Sequence, residues 1–293
     1  MKPARFDYAC PRSLDEALAL LESRGEEAKL LAGGQSLVPM LNLRLAQPRS
    51  LIDLNRIGEL SFVRNEAGAL RIGALSRHRQ IEVSAEVEAA QPLLARAGAE
   101  VGHLAIRNRG TIGGSLVHAD PAAEWPLIAV VLNAQLILRS RGKQREVTAR
   151  EFFVGPLTTA IEPNELLTEI RFPASRVRST WGFQELCRRP GDFALAAVAC
   201  QLVLDGERRC LAASLGVGGA HPTPLVVSDA NRVLEGCRGE AEALGEAAEL
   251  ATKAVEPTSD VHGSADFRRR LVKVLTLRAL NQAWNGTGNG QVR

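Results

Sequence analysis

Leu30-Leu31-Ala32-Gly33-Gly34-Gln35-Ser36-Leu37 and Arg107-Asn108-Arg109-Gly110-Thr111-Ile112-Gly113-Gly114-Ser115 are the stretches on which the reading of this chain turns. Each holds a Gly-Gly pair followed closely by a hydroxyl residue, beside an apolar, strand-like segment. Glycine has no Cβ, so its backbone can turn inward and approach a ligand closely. Successive inward amides make a concavity that suits an anion, phosphate above all. Two such nests, far apart in sequence, have the parts to clamp a diphosphate from two sides. By pattern alone, this clamp and ordinary turn glycines stand level.

Outward from the first loop, Ser13 and Glu16 have capping-box spacing, and Leu14, Ala17, Leu18 and Leu21 share one face. This predicts a helix over 13–24 that stops at Gly25. Residues 29–32 read as a buried strand entering the loop, 36–45 as a turn or short helix around Pro39, and 51–54 as a strand. That unit closes near residue 56. Short strands near 60–63 and 70–74, a short helix over 76–84 and a helix from Pro92 through Val101 lead to the second loop. After it, Asp120-Pro121 has the form of an N-cap followed by proline, with the apolar run to Leu132 continuing the helix. His118-Ala119-Asp120 also has the form of an acid–base pair, and capping is the simpler account.

Residues 135–139 and 144–148 alternate around Arg141-Gly142 as a hairpin, and 166–172 is a strand ended by Pro173. The arginine-rich segment 174–179 is the expected domain boundary. Three strands are expected beyond it, at 180–186, 193–204 and 208–217. Helices follow at about 228–235, 240–255 and 264–284, the last capped by Ser264. Strands followed by helices make this an α+β arrangement. The glycine-rich tail 287–293 is expected to be flexible.

The chain has 293 residues, enough for two domains with a sizeable core. It is 45% hydrophobic and 24% charged, an ordinary globular composition. The net charge of +3 is spread along the chain and forms no basic stripe for nucleic acid. Arg268-Arg269-Arg270 reads as the solvated face of a helix. Residues 1–12 show no signal pattern, and the apolar run 127–132 is far too short to span a membrane. The expected location is cytoplasmic. Five cysteines without C-x-x-C spacing make neither a disulfide framework nor a metal or cluster site.

Other chemistries fail on spacing. The G-x-G-x-x-G fingerprint is absent, since Gly216-Val217-Gly218-Gly219-Ala220-His221 lacks the third glycine. Gly142-Lys143 is followed by Gln144, so no phosphate loop of Walker type exists. There is no G-x-S-x-G elbow and no H-E-x-x-H, and the five histidines lie without metal-ligand spacing.

Several motifs together resemble the FAD-binding medium subunits of molybdenum hydroxylases of the carbon monoxide dehydrogenase and xanthine dehydrogenase types. They are Ala32-Gly33-Gly34-Gln35-Ser36 with Arg44-Leu45, Pro48 and Leu51-Ile52-Asp53, and Arg107 through Ser115 with Asp120-Pro121. Glu151-Phe152-Phe153 with Gly155, Glu165-Leu166-Leu167 ending at Pro173, Arg188-Arg189 with Gly191-Asp192-Phe193-Ala194, and Phe267-Arg268-Arg269 extend it over nearly the whole chain. The resemblance implies a PCMH-type FAD-binding domain at 1–177, made of two α+β subdomains at about 1–56 and 57–177. It implies an α+β C-terminal domain at 178–286 with a three-stranded antiparallel sheet and helices.

The same resemblance implies that Leu31, Ala32, Gly33, Gly34, Gln35, Ser36 and Leu37, with Thr111, Ile112, Gly113, Gly114 and Ser115, hold FAD. Asp120 or Glu124 serves the ribose or adenine side, Leu167 offers its backbone, and Asp192-Phe193 lies close to the isoalloxazine ring. Relatives often carry a lysine just before the Arg-Arg pair; here that place reads Gln184-Glu185. No catalytic side chain and no metal ligand is expected, so electrons must come from elsewhere. The implied partners are a small subunit with two 2Fe–2S clusters and a large molybdopterin subunit, as a heterotrimer or its dimer. This chain would collect electrons on FAD and pass them to an external acceptor. The alternatives are a non-catalytic paralogue or assembly protein retaining the fold, and a stand-alone flavin oxidase.

Overall fold

The computed structural model describes residues 2–286, so the expectation for the tail lies outside the described residues. The first unit runs β1 (Asp7–Ala9), α1 (Leu14–Arg24), β2 (Ala28–Leu31), α2 (Leu37–Asn42) and β3 (Ser50–Asp53). Its three strands form a parallel sheet in the order β1-β3-β2. The expected cap is half a box: Ser13 Oγ accepts from the Glu16 amide at 3.2 Å, while the Glu16 carboxylate accepts from the Arg12 amide, one residue early. A cap of this kind contributes about 1 kcal/mol. Leu14, Ala17, Leu18 and Leu21 pack on Ile52 and Leu54, as their spacing requires. Strand β1 has no apolar alternation and was not expected from the sequence; it exists because β3 offers it a free edge.

The second unit carries β4 (Val63–Glu66), β5 (Ala69–Gly73), α3 (His78–Glu82), α4 (Ala85–Ala90), α5 (Pro92–Glu100), α6 (Leu104–Arg107), α7 (Ile112–His118) and α8 (Glu124–Val131). It continues with β6 (Gln135–Ser140), β7 (Lys143–Thr148), α9 (Ala149–Phe152), β8 (Phe153–Gly155), β9 (Thr158–Thr159) and β10 (Leu166–Pro173). An antiparallel sheet in the order β4-β5-β10-β6-β7 has β10 at its centre, with a bulge between Leu167 and Glu169. The strand expected near 60–63 is a single 3-10 turn over Gly58–Leu60, and β4 starts only at Val63.

The third unit is β11 (Ser179–Cys187), β12 (Ala194–Leu204), β13 (Cys210–Gly218), β14 (Leu225–Val226), α10 (Ser228–Leu234), α11 (Ala241–Ala254) and α12 (Ala265–Asn285). The three expected strands are joined by the two-residue β14 in one antiparallel sheet, β11-β12-β13-β14. Both faces of β12 are covered. Ala197 and Ala199 belong to the core around α5 and α8, whereas Val198, Cys200 and Leu202 face α10–α12. This two-sided burial is why 194–200 reads as an unbroken apolar run. A Cβ on Gly182 would sit 2.7 Å from the Ala279 carbonyl carbon, so α12 lies directly on β11 there.

The arginine run is corrected by the structure. Arg268 is buried, its Nη1 donating to the carbonyls of Leu195 (2.7 Å) and Gly219 (3.1 Å) and its Nη2 to Asp260 (2.7 Å). It pins the start of α12 to the ends of β12 and β13. Only Arg269 and Arg270 are solvated. A charge run on a helix turns inward wherever a cluster of unpaired carbonyls needs donors.

Candidate functional site

The two glycine stretches meet backbone to backbone. A Cβ on Gly33 would stand 2.6 Å from the Gly110 Cα and nearer still to the Arg109 carbonyl oxygen. A Cβ on Gly114 would lie 3.8 Å from that of Ala32. Residues some 80 positions apart are therefore brought into contact, which a diphosphate clamp would require.

Their chemistry differs, and here the two-nest expectation is corrected. In the first stretch, among the described residues, the amides of Gly33, Gly34, Gln35, Ser36 and Leu37 meet no acceptor. Gly34 has φ of 73°, the left-handed region that glycine favours, and this turns the run of amides inward. Ser36 precedes α2 without making a cap bond, which leaves its hydroxyl uncommitted. In the second stretch every amide from Ile112 to Ser115 is already paired. Ile112 donates to the Ser76 carbonyl (3.1 Å), Gly113 to Ala74 (2.9 Å), Gly114 to Thr111 Oγ1 (3.1 Å) and Ser115 to Thr111 (3.0 Å). The stretch is not a loop but the first turn of α7, with Thr111 as its N-cap.

The glycines of the second stretch are instead contact residues. A Cβ on Gly113 would be 2.6 Å from Ala74, and one on Gly110 would be 2.5 Å from His78 Nε2. Segment 76–78 is the spine against which the stretch is laid, since His78 N also donates to the Gly110 carbonyl at 3.1 Å. What the second stretch can still offer a ligand is hydroxyl groups. The Thr111 oxygen accepts one bond and keeps its proton to donate, and the Ser115 hydroxyl is uncommitted.

His78 is buried beneath this junction, with Nδ1 accepting from Trp125 Nε1 at 2.9 Å. Burial, then the charges of Arg77 and Arg107, pull its pKa down to about 4. The ring is therefore neutral at pH 7, and because Nδ1 is the acceptor its proton sits on Nε2. His78 thus packs between Trp125 and the Gly110 turn.

Asp120 is not the cap of α8. Its Oδ1 accepts from the Ala122 amide at 2.9 Å, making a short turn, and the helix starts at Glu124 after Ala123. Pro126 fits because first-turn positions need no amide partner. Glu124 opens α8 as a fully buried carboxyl, raised to about 7 by burial and then by Glu100 and Asp120. On β11, Glu185 is raised to about 8 by burial and then by Glu124 and Glu100, and its Oε2 has no hydrogen-bond partner. Gln184 instead donates to Gln282 at 2.9 Å. Glu185 thus lies near the buried Glu124 and the half-buried Glu100, with Arg96 opposing them.

Leu167 is buried beside the β10 bulge, paired with Leu138 of β6. The next residue ties the strand to the site: the Thr168 carbonyl accepts from Ala74, whose own carbonyl accepts from Gly113. Phe193 is more than half exposed. Its turn packs on the residue before α6, because a Cβ on Gly191 would stand 2.5 Å from His103 Cε1.

Asn55 and Arg77 were missed by sequence reasoning. Asn55 Nδ2 donates to the Ala32 carbonyl (2.8 Å), and Arg77 donates to Asn55 Oδ1 (2.6 Å) and to the Arg109 carbonyl. Neither belongs to a motif, so no local signal marks them. Asp53 is pushed up by burial but held low by hydrogen bonds from Tyr8 and Asn55 and by the charge of Arg109, so it stays ionised here. Among the described residues, no group of three or more His, Cys, Asp or Glu could hold a metal ion, and no helix is long and apolar enough to cross a membrane.

Comparison with known proteins fits this geometry. The family described as the FAD binding domain in molybdopterin dehydrogenase matches residues 4–175, and the CO dehydrogenase flavoprotein C-terminal domain matches residues 181–283. The carbon monoxide dehydrogenase medium chain of Hydrogenophaga pseudoflava is 38% identical over 97% of this chain and 99% of its own length. Subunit alpha of the 6-hydroxypseudooxynicotine dehydrogenase complex of Paenarthrobacter nicotinovorans is 37% identical over 97% of this chain and 96% of its own. Among solved structures, carbon monoxide dehydrogenase from Hydrogenophaga pseudoflava superposes with a TM-score of 0.95 at 38% identity, covering 97% of this chain and 99% of that one. Quinoline 2-oxidoreductase from Pseudomonas putida 86 gives 0.93 at 38% identity, covering 98% and 100%. The chain belongs to the family of FAD-binding medium subunits of molybdenum-containing dehydrogenases and hydroxylases.

Proposed function

We propose that this chain is the electron-transfer flavoprotein of a molybdenum hydroxylase, working between the 2Fe–2S clusters of a small subunit and an external acceptor. The large molybdopterin subunit would oxidise the substrate, in a heterotrimer or its dimer. The observation that carries the proposal is the run of five uncommitted amides from Gly33 to Leu37, pressed against the second glycine stretch. A diphosphate needs such a donor row, and no acceptor among the described residues uses it.

The residues present fit FAD. The amides of Gly33, Gly34, Gln35, Ser36 and Leu37 would hold the diphosphate, with the Ser36, Thr111 and Ser115 hydroxyls as further donors. Leu31, Ala32, Ile112, Gly113 and Gly114 would shape the floor rather than donate. Asp120 and Glu124 would face the ribose or adenine side, with the Leu167 backbone along the cofactor and Phe193 toward the ring. When bound, FAD supplies exchange between one-electron and two-electron carriers. The chain's own work is to bind, orient and shield it, with no side-chain nucleophile or base. We assign residues 1–177 to the FAD domain, in subdomains meeting near residue 56, and 178–286 to the C-terminal domain.

The test is to purify the chain with and without the two partner subunits. The proposal expects flavin absorbance in both preparations, and bleaching of that absorbance by substrate only in the complete assembly. Protein that stays colourless and takes up no FAD would refute it. Flavin reduced by substrate in the chain alone would point to a stand-alone oxidase instead.

A further inference from the structure

The two glycine stretches touch at Gly33 and Gly110, but a touching pair of glycines does not fix a separation. The structure supplies a second tie between them. Arg77 lies between β5 and α3, half-buried, and sends its guanidinium toward the site. One nitrogen, Nη2, donates to Asn55 Oδ1 at 2.6 Å, and Nη1 donates to the Arg109 carbonyl oxygen. Asn55 passes the tie on, its Nδ2 donating to the Ala32 carbonyl at 2.8 Å and to Asp53 Oδ1 at 2.6 Å. A continuous chain thus runs Ala32–Asn55–Arg77–Arg109, from one residue before the amide run to one residue before Gly110.

We propose that Arg77, acting through Asn55, is a positioning residue that sets the spacing of the two glycine stretches and so the aim of the Gly33–Leu37 amides. The inference rests on the FAD reading of this site. Only arginine suits the role, because its planar fork reaches two acceptors in fixed directions whereas lysine has a single point of attachment. Asn55 is needed as the relay because its amide accepts at one end and donates at the other. The backbone is braced in parallel: Arg77 pairs with Thr111, so the residue that carries the strut also carries the cap of α7. Charge is poised as well. Arg77 is depressed by burial and by neighbouring Arg109, and only Asp53 offsets them. A diphosphate held by the nearby amides would relieve that repulsion.

The test uses the full chain with its partner subunits, reconstituted with FAD after removal of bound flavin. FAD affinity is measured by titration for the wild type, R77M, R77K, N55A and the double variant R77M/N55A. Loss of a charged hydrogen bond predicts affinity roughly 10- to 100-fold weaker for R77M and for N55A. The double variant should be no worse than the weaker single, because the two residues are links of one chain. R77K should restore only part of the loss. A merely structural role for Arg77 would lower the thermal midpoint of the FAD-free protein and give additive losses. R77M binding FAD as tightly as wild type, or single losses that add, would overturn the inference. Should R77M fail to fold, N55A at its exposed position carries the same comparison. Wild-type protein that takes up no FAD would overturn the FAD assignment and this inference together, whereas FAD uptake unaltered by R77M overturns this inference alone.

Discussion

Gly33→Ala isolates the contact on which the site depends. Gly33 does not need the left-handed region, so alanine is conformationally acceptable and the effect is steric alone. The new Cβ would lie 2.6 Å from the Gly110 Cα, with the Arg109 carbonyl closer still. Both neighbours are backbone and cannot rotate aside. Carbon atoms rest about 3.5–4 Å apart, so the stretches must separate by about 1 Å. Overpacking of this kind costs about 1–3 kcal/mol. If the spread is taken up at the amide row, FAD affinity falls roughly 5- to 150-fold. Titration of FAD into flavin-free protein reads this directly. The control is Gly245→Ala on α11, where a Cβ would meet nothing within 4 Å; it should leave FAD affinity unchanged and add about 0.5–1 kcal/mol of stability. Gly33→Ala protein that binds FAD as tightly as the wild type would show that the contact does not shape the site, and the reasoning would fail.

Other outcomes follow from the buried groups. His78 is held near pKa 4 when folded and near 6.5 when unfolded, so the unfolded chain binds a proton that the folded chain refuses. Stability should fall as pH drops from about 6.5 to 4, by on the order of 3 kcal/mol, and level off below, as read by urea denaturation of FAD-free protein. Glu185 behaves oppositely. Its folded pKa of about 8 makes stability fall as pH rises above the ordinary carboxyl range toward 8, so Glu185→Gln should raise the urea midpoint at pH 8 and leave it unchanged near pH 4. Arg268→Ala leaves the Leu195 and Gly219 carbonyls without their donor, while the exposed Asp260 carboxylate is solvated, and should cost about 1–3 kcal/mol in chemical denaturation.

Much of this fold was legible because its elements are periodic or capped. The α1 face, the hairpin of β6 and β7, the long alternating strands and the Ser264 cap all follow from local spacing. Strand β1 was not legible, since three polar or half-exposed residues pair only because β3 lies beside them. The N-terminus of α8 was misread because Asp120 bonds within two residues and stops short of the helix. Arg268 was misread because the carbonyls that claim it lie 49 and 73 residues away.

At the site the glycine motifs were visible, but not their division of labour. The amides of Ile112 and Gly113 are taken by Ser76 and Ala74, roughly forty positions away in sequence, and no local pattern reports that. Asn55 and Arg77 are invisible for the same reason, as each makes sense only once three separate segments have met. Glu185 shows the converse case. The sequence shows Gln184-Glu185 near the Arg-Arg pair, and only the structure shows Glu185 near Glu124 and Glu100 with its Oε2 unpartnered.

The central claim is that the free amides of Gly33 to Leu37 hold the diphosphate while those of Ile112 to Ser115 are already spent. Amide hydrogen exchange of the flavin-free and FAD-loaded protein measures this residue by residue. Exchange at 33–37 should be fast without FAD and strongly protected with it, and exchange at 112–115 slow in both states. Unaltered exchange at 33–37 on loading, with new protection appearing only at 112–115, would contradict it.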